Sequence, residues 1–293
     1  MNRNIKKSLL FIVLTFFFNY LLIFSYLALG GKWLMPYAAI VGAIYMFVPM
    51  VIAIIQKFIY KEPLKEPMGI SWKINCWWVV AWLLPPAVAF ATIAISLLFP
   101  GVEYSPEMTG FFERFRQVLP PEQFEKMQQQ AAELPVHPFW IALTLGLVAG
   151  GTINAVAGFG EELGWRGFLQ KEFSFMGFWK SSLLIGFIWG IWHAPLILKG
   201  HNYPQHPRAG AFMMTGWCML LAPIFSYVRL KAKSVIAAAV IHGSLNATAG
   251  LALVVVKGGN DLLVGVQGLA GFIVLTAANI AIFAYDRCRG ESL

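Results

Sequence analysis

Eight apolar runs separated by short polar segments organise this chain: 8–29, 36–56, 77–99, 139–159, 181–198, 211–228, 234–256 and 263–285. A hydrocarbon core about 30 Å thick needs roughly 20 mostly apolar residues per helix, so each run reads as a membrane span, with 181–198 short for one. The predicted fold is all-α, a polytopic transmembrane helical bundle of about eight spans. Pro85-Pro86 lies inside the third run and is expected to kink it, which packed neighbours tolerate. The longest interruption, 100–138, contains FFERFRQVL and EQFEKMQQQAAEL, both with helical apolar spacing, on either side of Pro120-Pro121. These read as short amphipathic helices lying on the membrane or capping the bundle.

Composition supports lipid as the solvent. The chain is 58% hydrophobic and only 12% charged, where a soluble domain carries about 25% charged residues. Its formal charge of +8 raises the question of nucleic acid, but there is no zinc-finger spacing and no basic helix with interleaved aromatics. The basic residues instead alternate with the spans. With the N-terminus in the cytoplasm, the cytoplasmic segments hold Arg3, Lys6, Lys7, Lys57, Lys61, Lys65, Lys73, Arg166, Lys171, Lys180, Arg229, Lys231, Lys233, Arg287 and Arg289. The other side holds only Lys32, Arg114, Arg116, Lys126, Lys199, Arg208 and Lys257. The positive-inside rule therefore predicts both termini cytoplasmic, in an integral multi-pass protein whose expected location is a bacterial cell membrane. The run that follows MNRNIKK is longer than a signal-peptide apolar region, so a retained first helix is expected. Cys76, Cys218 and Cys288 are scattered and suggest no disulfide framework.

Ionisable residues inside a span cost at least ~2.5–3.5 kcal/mol each and are functional candidates by default. Three places qualify. In Glu161-Glu162-Leu163-Gly164-Trp165-Arg166-Gly167, at the cytoplasmic end of the fourth run, Glu162 and Arg166 are i,i+4 and can pair. Glu161 is rotated by about 100° from Glu162, so one carboxylate can meet Arg166 while the other faces a cavity as a general base for water. His193 lies deep in the fifth run. His242 and Asn246 share a face of the seventh, whereas Ser244 is about 200° from His242, which argues against a local Ser–His dyad. Each of the three has a structural alternative: a charged helix end, a hydrogen-bonded core histidine, an interhelical polar pair. Their compatible depths predict one shared cavity, open to the cytoplasm.

The ordered set resembles the CPBP family (CAAX prenyl protease and bacteriocin-processing, also Abi) of intramembrane proteases. EELGWRG is similar to that family's EExxxR signature. Trp189 stands four residues before His193 where the family usually has Phe, and His242-Asn246 fits its HxxxN motif. The resemblance implies that Glu161 activates water with His193, that His242 and Asn246 stabilise the oxyanion, and that Glu162 and Arg166, with Trp189, support the site. It further implies an intramembrane endopeptidase core at 139–256, preceded by helices and an extracytoplasmic loop at 1–138 and followed by a helix and tail at 257–293. The implied partners are a membrane-embedded or lipidated peptide substrate and the bilayer. Zinc on Glu161, His193 and His242 is a possible cofactor, but no HExxH motif is present and a metal-free glutamate mechanism is the preferred expectation. The alternatives are a non-catalytic immunity or scaffold protein of the same fold and a proton-coupled transporter.

Overall fold

The computed structural model describes residues 3–33, 37–116 and 119–289. It is an all-α bundle, with two-residue strands at Glu103–Tyr104 and Val256–Lys257. Helices α1 (Arg3–Ala28), α2 (Tyr37–Ile59) and α3 (Cys76–Ser96) come first. The short helices α4 (Thr109–Arg116) and α5 (Pro121–Ala132) follow, then α6 (Pro138–Gly151) and α7 (Ile153–Glu162). A π-helical stretch, Leu163–Leu169, carries α7 on into α8 (Gln170–Glu172). The second half comprises α9 (Phe178–Trp192), α10 (Ala194–Ile197), α11 (Pro207–Ala232), α12 (Val235–Thr248), α13 (Leu251–Val254) and α14 (Leu269–Arg289). Among the described residues six helices are long and apolar enough to cross a membrane, or seven if the pair Pro138–Gly151 and Ile153–Glu172 counts as one bent span. The short fifth run of the sequence is the 15-residue α9, about 22 Å long at 1.5 Å per residue.

Helix α12 is the hub. It packs on α3, α6, α7 and α11, and small residues make this possible. A Cβ added at Gly243 would lie 2.4 Å from the Ala155 nitrogen and 2.5 Å from the Gly150 oxygen, and one at Gly150 would lie 2.6 Å from the Ser244 Cα. Backbones that approach this closely gain packing and interhelical contacts in lipid, where apolar burial alone gives little. We expect Gly243→Ala to lower stability by about 1–3 kcal/mol through overpacking. Thermal unfolding in detergent would measure it, and an unchanged midpoint would contradict the close approach.

The start of α12 is fixed by local chemistry. Lys233 adopts a left-handed conformation (φ 53°) that ends α11. Ser234 then caps α12 by accepting a hydrogen bond from the Ile236 nitrogen at 3.1 Å. Val235 N–H donates to the Gly69 carbonyl at 2.8 Å, tying this turn to the loop after α2.

Polar contacts mark the two ends of the bundle. At the N-terminal end Glu62 accepts from Lys57 at 2.8 Å and from Lys7. Burial pushes the Glu62 carboxyl up, but the two ammonium groups prevail and hold it down at about 2, so this end stays cross-linked at any ordinary pH. At the opposite end Trp33 Nε1 donates to His201 Nδ1 at 3.0 Å. There too His206 Nδ1 meets Asp261 Oδ1 at 2.6 Å, and the Tyr203 hydroxyl donates to the Gln267 carbonyl at 2.7 Å.

The expectations for the fourth run need correction. The fourth run does not form one straight helix: it breaks at Thr152 with a bend of 49°, after two glycines of which Gly150 is pressed against α12. Nor does it end near residue 159. Helical structure runs on to Glu172, so Glu161 and Glu162 lie well inside it rather than at its cytoplasmic end. Arg166, counted as a cytoplasmic loop charge, is instead fully buried. Pro85 and Pro86 lie within a helix that runs without a break from Cys76 to Ser96. The segment 100–138 does form two short helices. Arg114 docks α4 by donating to the carbonyls of Val256 at 3.0 Å and Gly258 at 3.2 Å, beyond the end of α13.

Candidate functional site

The π-helical stretch sets the site. Such turns insert an extra residue and re-aim side chains, often at functional positions. This one follows directly after Glu162, and Glu161, Glu162, Arg166 and His242 are 2%, 0%, 0% and 4% exposed. Charges buried this deeply must be paired, and each of them is.

Glu162 Oε1 accepts from Arg166 Nη1 at 3.0 Å and from His242 Nδ1 at 2.7 Å. With a guanidinium on the same oxygen Glu162 is a carboxylate, so His242 must carry its proton on Nδ1, which leaves Nε2 on the far side of the ring. Nε2 lies 3.9 Å from Glu161 Oε1. Glu161 is held through its other oxygen, Oε2, by the indole N–H of Trp189 at 2.7 Å and that of Trp165 at 3.4 Å. The two adjacent carboxylates thus have different partners, one cationic and one formed by indoles, as their angular separation predicted. His242 lies between them. The Arg166 guanidinium sits 4.5 Å from the Trp189 ring and 5.1 Å from the Phe225 ring, with aromatic faces where further hydrogen-bond acceptors could have been.

His193 follows the last residue of α9. Its Nδ1 lies 2.8 Å from the Trp189 carbonyl; a carbonyl only accepts, so this nitrogen is the donor and Nε2 is free. Its ring meets Trp192 edge-on with centroids 4.8 Å apart. A closed set of bonds supports that tryptophan. Trp192 Nε1 donates to Asn19 Oδ1 at 2.9 Å, Asn19 Nδ2 to the Tyr45 carbonyl at 2.8 Å, and the Tyr45 hydroxyl to the Trp192 carbonyl at 2.6 Å. Helices α1 and α2, outside the motif-bearing region, therefore position the α9 end of the site.

Glu161, Trp189, His193, His242 and Asn246 line one cavity of about 890 Å³. All four residues predicted to be catalytic are thus brought together. Glu162 and Arg166 lie behind the wall rather than in it, and Trp189 is both lining and hydrogen-bond donor. Asn246, one turn beyond His242, is exposed within the cavity. Sequence reasoning missed Trp165, although it stands four residues after Glu161 on the same helical face. It also missed Asn19 and Tyr45, although a polar Asn within FFFNYLL was a visible signal. Phe225 carried no signal.

The cavity extends to one side only of Glu161 and His242. Its lining residues on α7 stop at Glu161, and those on α12 begin at His242. Beyond them, toward the Lys7–Glu62 end, Trp165, Arg166 and Phe168 are fully buried and close the bundle. The physical reason is the continuation of α7 as a π-helix, which fills that end with side chains.

As for a metal, among the described residues no three His, Cys, Asp or Glu side chains are grouped so as to hold an ion. His242 turns one nitrogen to Glu162 and holds the other 3.9 Å from Glu161, and His193 gives Nδ1 to a backbone carbonyl. In this arrangement the set Glu161, His193, His242 does not fit zinc.

Residues 135–248 match the family described as Rce1-like, type II CAAX prenyl endopeptidase Rce1-like. The match contains every motif residue described above. Over this stretch the chain is similar to the CPBP family. Within a segment of 99 residues it is 33% identical to a protein named CAAX prenyl protease 2 from Methanococcus maripaludis, covering 29% of this chain and 34% of that one. The matched part therefore spans about a third of that curated relative. The apolar helices and this match together support an integral membrane protein of protease type.

Proposed function

We propose that this protein is an intramembrane endopeptidase of the CPBP type that hydrolyses a peptide bond of a membrane-associated substrate, prenylated or carrying a leader peptide, by glutamate-activated water. The observation that carries the reading is the pairing of Glu161 with His242 at the floor of the cavity. Their 3.9 Å separation is too long for a direct hydrogen bond and suits one water held by both.

In the proposed reaction Glu161 Oε1 takes a proton from that water as its oxygen attacks the substrate carbonyl carbon. The carbonyl π electrons move to oxygen, and the side-chain amide of Asn246 donates a hydrogen bond to the oxyanion. The C–N bond then breaks, and the leaving amine receives the proton, with His193 Nε2 as the relay. His242 contributes an oriented Nε2 because Glu162, itself held by Arg166, fixes its tautomer. No step uses a metal.

The test is cleavage of candidate peptides in membranes by the wild type and by Glu161→Ala, His193→Ala and His242→Ala. Each variant is expected to lose at least about 10²-fold in rate, the contribution of a positioned acid or base. Wild-type activity in all three would refute the site, and no cleavage by the wild type itself would favour a non-catalytic role for the fold. Purified active protein is also expected to keep its rate in the presence of chelators and to hold no stoichiometric zinc. Loss of activity with EDTA, restored by zinc, would overturn the metal-free mechanism.

A further inference from the structure

We infer that the end of the bundle where α1 begins and α2 ends binds an anionic phosphate group, held by Lys7, Lys57 and Lys171 and carried by the headgroup of an acidic phospholipid. The site is separate from the Glu161–His242 centre and does not depend on the protease reading. An aromatic layer lies between the two. Phe168 stacks on Phe11 with ring centroids 5.0 Å apart, and Phe11 meets Trp165, the indole beside Glu161, at 5.7 Å.

Three helices bring the cations together. Lys7 stands in the second turn of α1, Lys57 in the last turn of α2, and Lys171 in α8, which packs against α1. The Lys7 and Lys57 side chains are 4% and 1% exposed, and lysine is almost never buried so deeply unless paired. Glu62 is the partner of both. Its Oε1 takes Lys7 and, at 3.7 Å, Arg3, and its Oε2 takes Lys57 at 2.8 Å. One carboxylate therefore serves three cations, and both of its oxygens are engaged.

Lys171 is a fourth cation. It is partly exposed, and its ammonium faces that of Lys57 within hydrogen-bonding reach, although both groups only donate. Among the described residues no carboxylate forms an ion pair with Lys171, and the adjacent Glu172 is buried without one. On another side of Lys57 lies the Phe168 ring, 5.5 Å from the ammonium to the centroid, rather than an acceptor. Two donors turned toward each other beside a fully engaged carboxylate need an acceptor that both can reach. A phosphate carries several acceptor oxygens on one atom, so it replaces like-charge repulsion with charge-assisted hydrogen bonds to both lysines.

The surroundings favour a lipid as the carrier of that phosphate. Leu10, one turn after Lys7, and Phe58, next to Lys57, are exposed, so acyl chains can lie on apolar side chains while the headgroup meets the lysines. The Tyr60 ring stands at the same level, its centroid 5.0 Å from the Lys7 ammonium and 5.9 Å from the Arg3 guanidinium. Tyrosine and basic residues together at the ends of apolar helices mark the headgroup region of a membrane, and basic pockets between helices at that depth attract acidic lipids.

Thermal unfolding of the whole protein in nanodiscs tests the site without any activity assay. Discs of phosphatidylcholine, whose own ammonium offsets its phosphate, are compared with discs that also contain phosphatidylglycerol, and with phosphatidylcholine discs given inorganic phosphate. Phosphatidylglycerol is expected to raise the wild-type midpoint by about 5–10 °C, the order for a ligand a hundredfold above its dissociation constant. Lys171→Gln leaves no carboxylate stranded and is expected to fold and to lose most of this rise. Lys171→Arg is expected to keep it, as is Lys73→Gln, at an exposed lysine in the loop before α3. In phosphatidylcholine alone Lys171→Gln should unfold no lower than wild type, because it takes a like charge away from Lys57; this separates loss of the ligand from loss of the fold. A rise with inorganic phosphate but not with phosphatidylglycerol, absent in Lys171→Gln, would support the anion site and overturn the lipid as its carrier. No rise with either, or a rise that Lys171→Gln keeps, would overturn the site. Native mass spectra give a second measurement that needs no variant. The wild type is expected to retain phosphatidylglycerol in preference to phosphatidylcholine through detergent exchange, and equal retention of the two would overturn the lipid.

Discussion

Glu161→Gln is expected to abolish peptide hydrolysis while leaving the protein folded, the largest effect of any single substitution in the site. Glutamine keeps the shape of glutamate, and its amide oxygen can still accept the indole hydrogen bonds of Trp189 and Trp165, now at 2.7 and 3.4 Å. What it cannot do is take a proton from water. General-base catalysis contributes typically 10²–10⁴-fold, and a loss of that order is expected with a thermal unfolding midpoint close to wild type. Trp189→Phe provides the contrast. It removes the 2.7 Å donor but keeps an aromatic ring beside Arg166 and His242, and Phe is the residue usual in the family at that position. A decrease well short of that for Glu161→Gln is expected. Cleavage of one membrane-bound substrate by both variants decides the matter, and equal rates for wild type and Glu161→Gln would move the base elsewhere.

The residues of the candidate site were legible in the sequence because charge and lipid conflict. Glu161, Glu162, His193, His242 and Asn246 stand out only against apolar runs, and each of them lies in or directly behind the cavity. The i,i+4 rule gave the Glu162–Arg166 pair, and it would have given Trp165 to Glu161 had aromatic donors been considered beside charged ones. Depth was harder to read. Apolar runs were ended at the first charge, so the fourth was closed near residue 159, although helix continues to Glu172. A fully paired cluster can lie inside a span, and hydropathy cannot recognise pairing between distant segments. The same error made Arg166 a loop residue. The break at Thr152 and the π-helical stretch were not legible either. Both depend on tertiary contact, such as that between Gly150 and Ser244, rather than on local preference.

Arg166→Met is expected to destabilise the protein more than any substitution of a cavity-lining residue. Arg166 touches no substrate in the proposed reaction, but it is the cation that allows two carboxylates and an imidazole to be buried together. Removing one partner of a buried pair costs about 3–5 kcal/mol, because the remaining charge has lost its compensation. Here that charge is Glu162, fully buried and left with His242 alone. Arg166→Lys should not rescue it fully. Lysine can reach a carboxylate, but it lacks the flat guanidinium that lies 4.5 Å from the Trp189 ring and 5.1 Å from the Phe225 ring. The informative control is the double variant Arg166→Met, Glu162→Gln. With no carboxylate left to compensate at that position, part of the lost stability should return, which gives a coupling energy of the sign expected for residues in one network. Thermal unfolding in detergent for the four members of the cycle would measure it. Additive losses would mean that Arg166 acts through packing alone, and that the charge of Glu162 is balanced by His242 without it.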